Sequence, residues 1–207
     1  MADRAAGIEL HTERLRLRYF RPDEAVAFVS LAGDPAVARM TSDIPYPFAA
    51  ADAGPWLHRA RGEERFAIEY EGRLVGGVGY FPRDTGAREL GFWLGRSAWG
   101  LGIATEASRE VLRFGFEQRG VTAFCSSHFA DNTASQNVLL KLGFRPIGRD
   151  SMWSVARQSM VDTVQYWLPR PDKTANTGSR PWRAILDKVI GPATLGSRVT
   201  ARRAQKS

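Results

Sequence analysis

Hydrophobic and polar positions along the chain fall into a regular succession of elements. "RLRLRYF", 14–20, alternates charged and apolar residues with period two and predicts a strand with one buried face. "RPDEAVAFVSLAGDPAVARM" predicts a helix entered through Pro22-Asp23, with Ala25, Phe28, Val29 and Leu31 on its apolar face. Gly33-Asp34-Pro35 breaks it, and a second short helical piece follows. "IPYPF", 44–48, is a proline-stiffened aromatic loop, and "AADAGPWLHRARGEE" predicts one more helix, weakened by Gly54-Pro55. Next come a hairpin, "RFAIEYEGRLVGGVGYF", turning at Glu71-Gly72, and a fourth strand, "RELGFWLG". The strongest helix spans 103–118, where Ala107, Val111 and Phe114 recur at i, i+4, i+7. "VTAFCSSHF" is the fifth strand, "TASQNVLLKLG" a helix that Gly143 can cap, and "FRPIGRD" with "MVDTVQYWL" the closing strands. The order β, α, α, β, β, β, α, β, α, β, β predicts a single α/β domain over 1–169.

Composition narrows the class. With 43% hydrophobic and 25% charged residues, the 207-residue chain has the balance of an ordinary globular protein. No apolar run reaches the roughly 18 to 20 residues of a membrane span, and the charged N-terminus lacks the apolar core of a signal peptide. A single cysteine, Cys125, rules out an internal disulfide and fits a reducing compartment, so a cytoplasmic location is expected. The net charge of +7 is unevenly placed. From Arg170 onward nine Lys or Arg face only Asp172 and Asp187, which accounts for all seven charges, so residues 1–169 balance. The basic character belongs to a tail, 170–207, and not to a nucleic-acid-binding body. Within that tail Trp182, Ile185, Leu186, Val189 and Ile190 sit at helical spacing and predict a short amphipathic helix over about 180–190. It either docks on a protein surface or meets an anionic one such as RNA or membrane.

"AWGLGIATEA", 98–107, sets Gly100 and Gly102 directly before a helix-prone run. Glycine costs roughly 1 kcal/mol against alanine inside a helix, so its placement here needs a local reason. Bare N–H groups at a helix start, with the helix dipole behind them, favour an anion, and glycines let a phosphate approach. A P-loop needs Lys-Ser/Thr after its second glycine, but Ile103-Ala104 follow Gly102. A dinucleotide fingerprint needs a third glycine, where Thr105 stands, and an acidic residue after the next strand, where Ser126-Ser127-His128 stand.

A third pattern fits better. "ELGFWLGRSAWGLGIATEA" followed by "FADNTASQNVLLKLGFRPIG" resembles the GNAT superfamily of acetyl-CoA-dependent N-acetyltransferases, most closely its RimJ/RimL-like, ribosomal-protein N-acetyltransferase group. The superfamily's pyrophosphate motif, Gln/Arg-x-x-Gly-x-Gly/Ala, maps onto Trp99-Gly100-Leu101-Gly102-Ile103-Ala104. Trp99 departs from Gln/Arg, as is usual in that group. "TERLRLRYFRPDEA" and "PYPF" share the likeness, which covers roughly 10–169. The resemblance implies a GNAT fold: a twisted, mixed but mostly antiparallel sheet of six to seven strands with flanking helices. The fourth and fifth strands would splay into a cleft for acetyl-CoA. It further implies that Phe92, Trp93 and Leu94 lie nearest the pantetheine arm, that Gly100, Gly102 and Ala104 hold the pyrophosphate, and that Asn132 contacts the cofactor. A plainer reading of Asn132, compatible with the first, is an N-cap for the helix at 133.

Acetyl transfer to an amine needs a base to free the nitrogen lone pair, and an acid can serve the departing thiolate. Glu89 matches the glutamate often found at that point of the group and is the expected base; its alternative is a surface residue paired with Arg88 or Arg83. Many members carry a tyrosine acid seven residues after the asparagine, where this chain has Leu139, and Ser135 matches the serine proposed for that role. Ser135 also suits the first turn of a helix. Cys125 is expected to be core, and His128 is a reserve base; three histidines with no close pair argue against a metal site. Tyr46, Phe48 and Trp56 either line the acceptor groove or cover the open end of the core. The expected acceptor is a primary amine, on a protein N-terminus or a small molecule, and a second copy of the chain is an allowed partner. Two other classes stay open: an inactive acyl-CoA-binding sensor or scaffold, and a protein docked on ribosome or RNA through its basic tail.

Overall fold

The computed structural model describes residues 7–58 and 60–171. The basic tail beyond 171, with its expected helix at 180–190, lies outside the described residues.

Eight strands form one sheet: β1 (Glu9–His11), β2 (Leu15–Tyr19), β3 (Glu64–Tyr70), β4 (Arg73–Pro82), β5 (Arg88–Leu94), β6 (Ala123–Phe129), β7 (Arg145–Ser154) and β8 (Ser159–Pro169). Their spatial order is β1-β2-β3-β4-β5-β6-β8-β7. Every adjacent pair is antiparallel except β5 and β6. The sheet exceeds the expected six to seven strands because three-residue β1 pairs with β2, a length at which alternation gives no signal. The "RELGFWLG" strand, fourth in the sequence reading, is therefore β5.

The hairpin between β3 and β4 turns where expected, with Glu71 at φ 50° and Gly72 at φ 72°, the paired left-handed geometry of a tight hairpin turn. The single helix expected over 50–64 is absent. In its place stand a 3-10 turn, Ala50–Asp52, and one helical turn with proline in its first turn, ended by extended His58. Gly62 turns at φ 84° and β3 begins at Glu64. Gly54-Pro55 thus starts a helix instead of weakening one, as proline in the first turn allows.

The helices are α1 (Ala25–Ala32), α2 (Pro35–Ala38), α3 (Gly54–Leu57), α4 (Ile103–Gln118) and α5 (Thr133–Lys141). Alternation along β5 divides the interior in two. Leu90 and Leu94, with Phe92 beside them, join the main core with Ile103, Ala107, Val111 and Phe114 of α4. Trp93 points the other way, into a smaller cluster built on Phe28, Ala32, Ala38, Ile44 and Ala53. Helix α4 and the α1–α3 wall therefore occupy opposite faces of the sheet.

Candidate active site

The cleft comes from two parallel strands that part company. β5 and β6 are in register only at Arg88↔Phe124 and Glu89↔Cys125. The Ser126 hydroxyl donates to the Leu90 carbonyl at 2.9 Å, and beyond that tie the strands diverge. The splay expected between these two strands is present, with Glu89 at its vertex.

At the open end, the chain leaves β5 through a 3-10 turn, Arg96–Ala98, pinned by the Gly95 amide on the Val75 carbonyl. The Trp99 indole N–H donates to the Leu94 carbonyl at 2.8 Å, so this residue, expected at the cofactor, also ties the turn to the strand. Gly100 and Gly102 both take left-handed backbone, φ 76° and 77°. A side chain costs roughly 1–2 kcal/mol in that conformation, which answers why glycines stand there. A Cβ at Gly100 would meet nothing within 4 Å, so its approach is open. Gly102 is the N-cap of α4 and its carbonyl accepts from the Glu106 amide. The first-turn amides, Ile103 and Ala104 among them, have no intrahelical acceptor and, with the dipole of a 16-residue helix, form an anion seat. Leu101 is half exposed beside it.

This turn is braced from 90 residues away. Arg14, just before β2, donates through Nε (2.8 Å) and Nη2 (2.6 Å) to Glu106 Oε2, and Nη2 also reaches the Leu101 carbonyl at 3.1 Å. The Arg14 amide and the Thr12 hydroxyl bond the other oxygen, Oε1. Burial works to raise the Glu106 carboxyl, but these donors hold it below its ordinary value. No spacing in the sequence joins Arg14 to Glu106, so sequence reasoning missed the pair.

At the vertex, Glu89 pairs with Arg83, one of the two partners considered, and keeps 20% of its side chain exposed. Burial pushes its carboxyl above the ordinary value and the Asp43 charge adds to the rise. Arg83 and the Ser127 hydroxyl oppose it without cancelling it. A carboxyl so placed holds a proton more readily than a surface glutamate, as a general base near neutral pH requires. Cys125 lies beside it, its thiol pushed up to about 11 first by burial and then by the Glu89 charge. The thiol is half buried beside Glu89 and not in the core as expected, because it lies on the face of β6 that Glu89 shares.

His128 does not join this group. It lies on the opposite face of β6 from Cys125 and Ser127, buried, with Nδ1 2.7 Å from the Phe129 carbonyl and Nε2 3.3 Å from the Tyr166 hydroxyl. Its place in the interior beside Tyr166 corrects the reserve-base reading. Among the described residues no group of three His, Cys, Asp or Glu is placed to hold a metal.

Asn132 is the N-cap of α5, its Oδ1 accepting from the Ser135 amide at 3.0 Å; the side-chain NH2 is left over for another acceptor. Ser135 is half buried, and its hydroxyl has no partner among the described residues. Leu139, at the tyrosine position of other members, is fully buried core. On the opposite wall Phe48 and Trp56 pack edge to face at 5.0 Å, and Phe48 meets Phe28. Both belong to the smaller core, whereas Tyr46 stands 53% exposed. Sequence reasoning also missed Arg157 in the β7–β8 turn. It bonds Asp131 at 2.7 and 3.1 Å and the Arg39 carbonyl at 2.7 Å, joining this wall to the corner that carries Asn132.

Comparison with known proteins agrees with this geometry. Residues 14–145 match the acetyltransferase (GNAT) domain model. The chain belongs to the GNAT acetyltransferase family. A relative named as uncharacterized N-acetyltransferase p20, from Bacillus licheniformis, is 26% identical over 168 residues, covering 77% of this chain and 94% of its own. Among solved structures, the ribosomal L7/L12 α-N-protein acetyltransferase RimL in complex with coenzyme A superposes with a TM-score of 0.69. It does so at 17% identity, over 78% of this chain and 98% of its own. The ribosomal-protein-S5-alanine acetyltransferase of Vibrio fischeri gives 0.68 at 17% identity, over 82% and 100%. Both share the fold. This GNAT enzyme is an acetyltransferase, and its family takes the acetyl group from acetyl-CoA. The open glycine turn and the diverging strands fit that co-substrate: an anion seat at one end and a strand edge without a partner leading to Glu89. No helix among the described residues is long and apolar enough to cross a membrane.

Proposed function

We propose that this GNAT enzyme transfers acetyl directly to a primary amine, on a protein N-terminus or a small molecule, within a ternary complex. One observation carries the reading: a carboxyl raised by burial, Glu89, stands where the two strands begin to part. The thioester supplies an activated acyl group; the chain supplies orientation and proton handling. Amides of Gly100, Gly102, Ile103 and Ala104 seat the pyrophosphate, and the free edge of β5 along Phe92, Trp93 and Leu94 aligns the arm through backbone groups. Glu89 takes the proton that an ammonium must lose before its nitrogen can attack, and a backbone N–H on that edge suffices for the developing oxyanion. Ser135, whose backbone N–H is bound to Asn132 Oδ1, gives its hydroxyl as a hydrogen-bond donor to the departing thiolate. Tyr46, exposed on the wall whose core holds Phe48 and Trp56, is the first candidate for acceptor contact. The test is release of free CoA thiol when purified protein and acetyl-CoA meet a panel of alkyl amines and N-terminal peptides. Amine-dependent release supports the proposal; release no faster than thioester hydrolysis with every amine sinks it.

A further inference from the structure

Arg14 is bound into the cofactor turn more closely than a surface arginine needs to be. Its guanidinium makes three bonds there, to Glu106 through Nε and Nη2 and to the Leu101 carbonyl through Nη2, while its ring-facing side lies over Tyr70 at 5.9 Å. The Leu101 bond has a geometric consequence. A trans peptide is planar and its C=O and N–H point in opposite directions, so holding the Leu101 oxygen toward Arg14 turns the Gly102 N–H away from it. A Cβ built on Gly102 would lie 3.7 Å from Arg14 Nη2, which places the guanidinium close beneath that residue. Gly102 has left-handed backbone and no side chain to fix it, so the peptide before it is free to rotate unless something outside the turn stops it.

Electrostatics supply a second, independent argument. Glu106 is in the first turn of α4, where its charge opposes any anion drawn to the helix start. Donors from Thr12 and Arg14 occupy both of its oxygens, and the Arg14 guanidinium on Oε2 brings a full positive charge. The Arg14–Glu106 unit is thus neutral toward the seat, whereas Glu106 alone would repel a pyrophosphate.

We infer that Arg14 is a positioning residue for the pyrophosphate of the co-substrate: it aims the Gly102 N–H by holding the Leu101 carbonyl and cancels the Glu106 charge behind the turn. The inference rests on the acetyl-CoA reading of the 100–104 turn. It predicts a division within the co-substrate. Affinity for the half that bears the pyrophosphate depends on Arg14, and affinity for the pantetheine half does not.

The experiment measures dissociation constants by calorimetry for CoA, ADP and S-acetylpantetheine with wild-type protein, Arg14→Ala and Arg14→Lys. Thermal melts of the same samples without ligand report folding. Arg14→Ala is expected to weaken CoA and ADP about tenfold or more, with S-acetylpantetheine within twofold of wild type. Arg14→Lys keeps the charge but lacks the planar fork that reaches Leu101 and Glu106 together, so it should fall between the two. It also carries the test should Arg14→Ala not fold. Equal losses for all three ligands would reduce Arg14 to a structural brace, and unchanged ADP binding would overturn the inference outright. A folded wild type that binds neither CoA nor ADP would instead overturn the acetyl-CoA reading of the turn. That outcome differs from wild-type binding that the variants leave intact.

Discussion

The two walls of the cleft are made in different ways. The proposed cofactor side is one long helix with a glycine turn at its start, offering backbone amides, and its brace is the partly exposed Arg14–Glu106 ion pair. The proposed acceptor side is α1 followed by four-residue α2, a 3-10 turn and four-residue α3, joined by loops, and in the proposal its side chains do the recognising. Backbone recognition constrains sequence where the turn goes left-handed, at Gly100 and Gly102. Side-chain recognition leaves the sequence free to vary with the acceptor.

The largest expected effect lies where the walls meet. Glu89→Gln should lower kcat about 100-fold or more, the range in which a general base acts, while the dissociation constant of acetyl-CoA stays near wild type. The pH dependence has a definite sign. A base works when deprotonated, so wild-type activity rises with pH as Glu89 ionises. Because burial raises this carboxyl, the rise falls above the ordinary carboxylate range. The variant should lose that limb. A profile unchanged by Glu89→Gln would move the base elsewhere, with Asp43, whose charge already bears on this carboxyl, the next group to examine.

Next comes the cofactor wall alone. Gly100→Asp adds a carboxylate in open space over the anion seat, in a left-handed conformation that aspartate tolerates better than most residues. Acetyl-CoA should bind about tenfold or more weakly, with the melting temperature nearly unchanged. If affinity survives, the pyrophosphate lies away from this turn.

This wall is also the part that could be read in advance. Gly100 and Gly102 before Ile103, the 103–118 periodicity and the Asn132 cap are local signals, complete within a few residues, as is the Glu71-Gly72 turn elsewhere in the sheet. The acceptor wall gives few of these. The 50–64 stretch has helical composition but breaks into two short turns, because Pro55 starts a helix that extended His58 ends within a turn. Arg14 with Glu106 and Arg157 with Asp131 are partners brought together only by the finished sheet. His128 was misplaced for a related reason: its position near the end of β6 is legible, but which face is covered depends on Tyr166 in β8, 38 residues later.

Smaller effects belong to the acceptor wall. Arg157→Ala removes bonds to Asp131 and the Arg39 carbonyl and uncovers Phe129, over which the guanidinium lies at 4.7 Å. A loss of about 1–2 kcal/mol in stability is expected, since Arg157 is mostly covered but Asp131 is not. The acceptor KM should rise severalfold while acetyl-CoA affinity hardly moves. Trp56→Ala and Tyr46→Ala divide the aromatic residues of the same wall. Trp56, packed against Phe48, should cost about 2 kcal/mol on denaturant unfolding. Tyr46, exposed, should cost less than about 0.5 kcal/mol and register only in the acceptor KM. Equal stability losses would place Tyr46 with the core and leave the acceptor contact to other side chains.

The smallest effect checks how closely the vertex is packed. With its thiol pushed up to about 11, Cys125 should be alkylated by iodoacetamide at pH 8 far more slowly than a free cysteine. Burial is the largest cause of that elevation and is untouched by Glu89→Gln. The Glu89 charge causes the next part, and the substitution removes it. Alkylation at pH 8 should therefore quicken by a few fold in Glu89→Gln, with no change at a pH well above 11 if the fold persists there. The thiol thus serves as a probe of the carboxylate's charge beside it, read without any knowledge of the acceptor. A rate indifferent to Glu89→Gln would mean that Glu89 carries no charge at pH 8, or that it turns away from Cys125 toward Arg83. In the first case it could not act as the base at that pH, whatever its position between the strands.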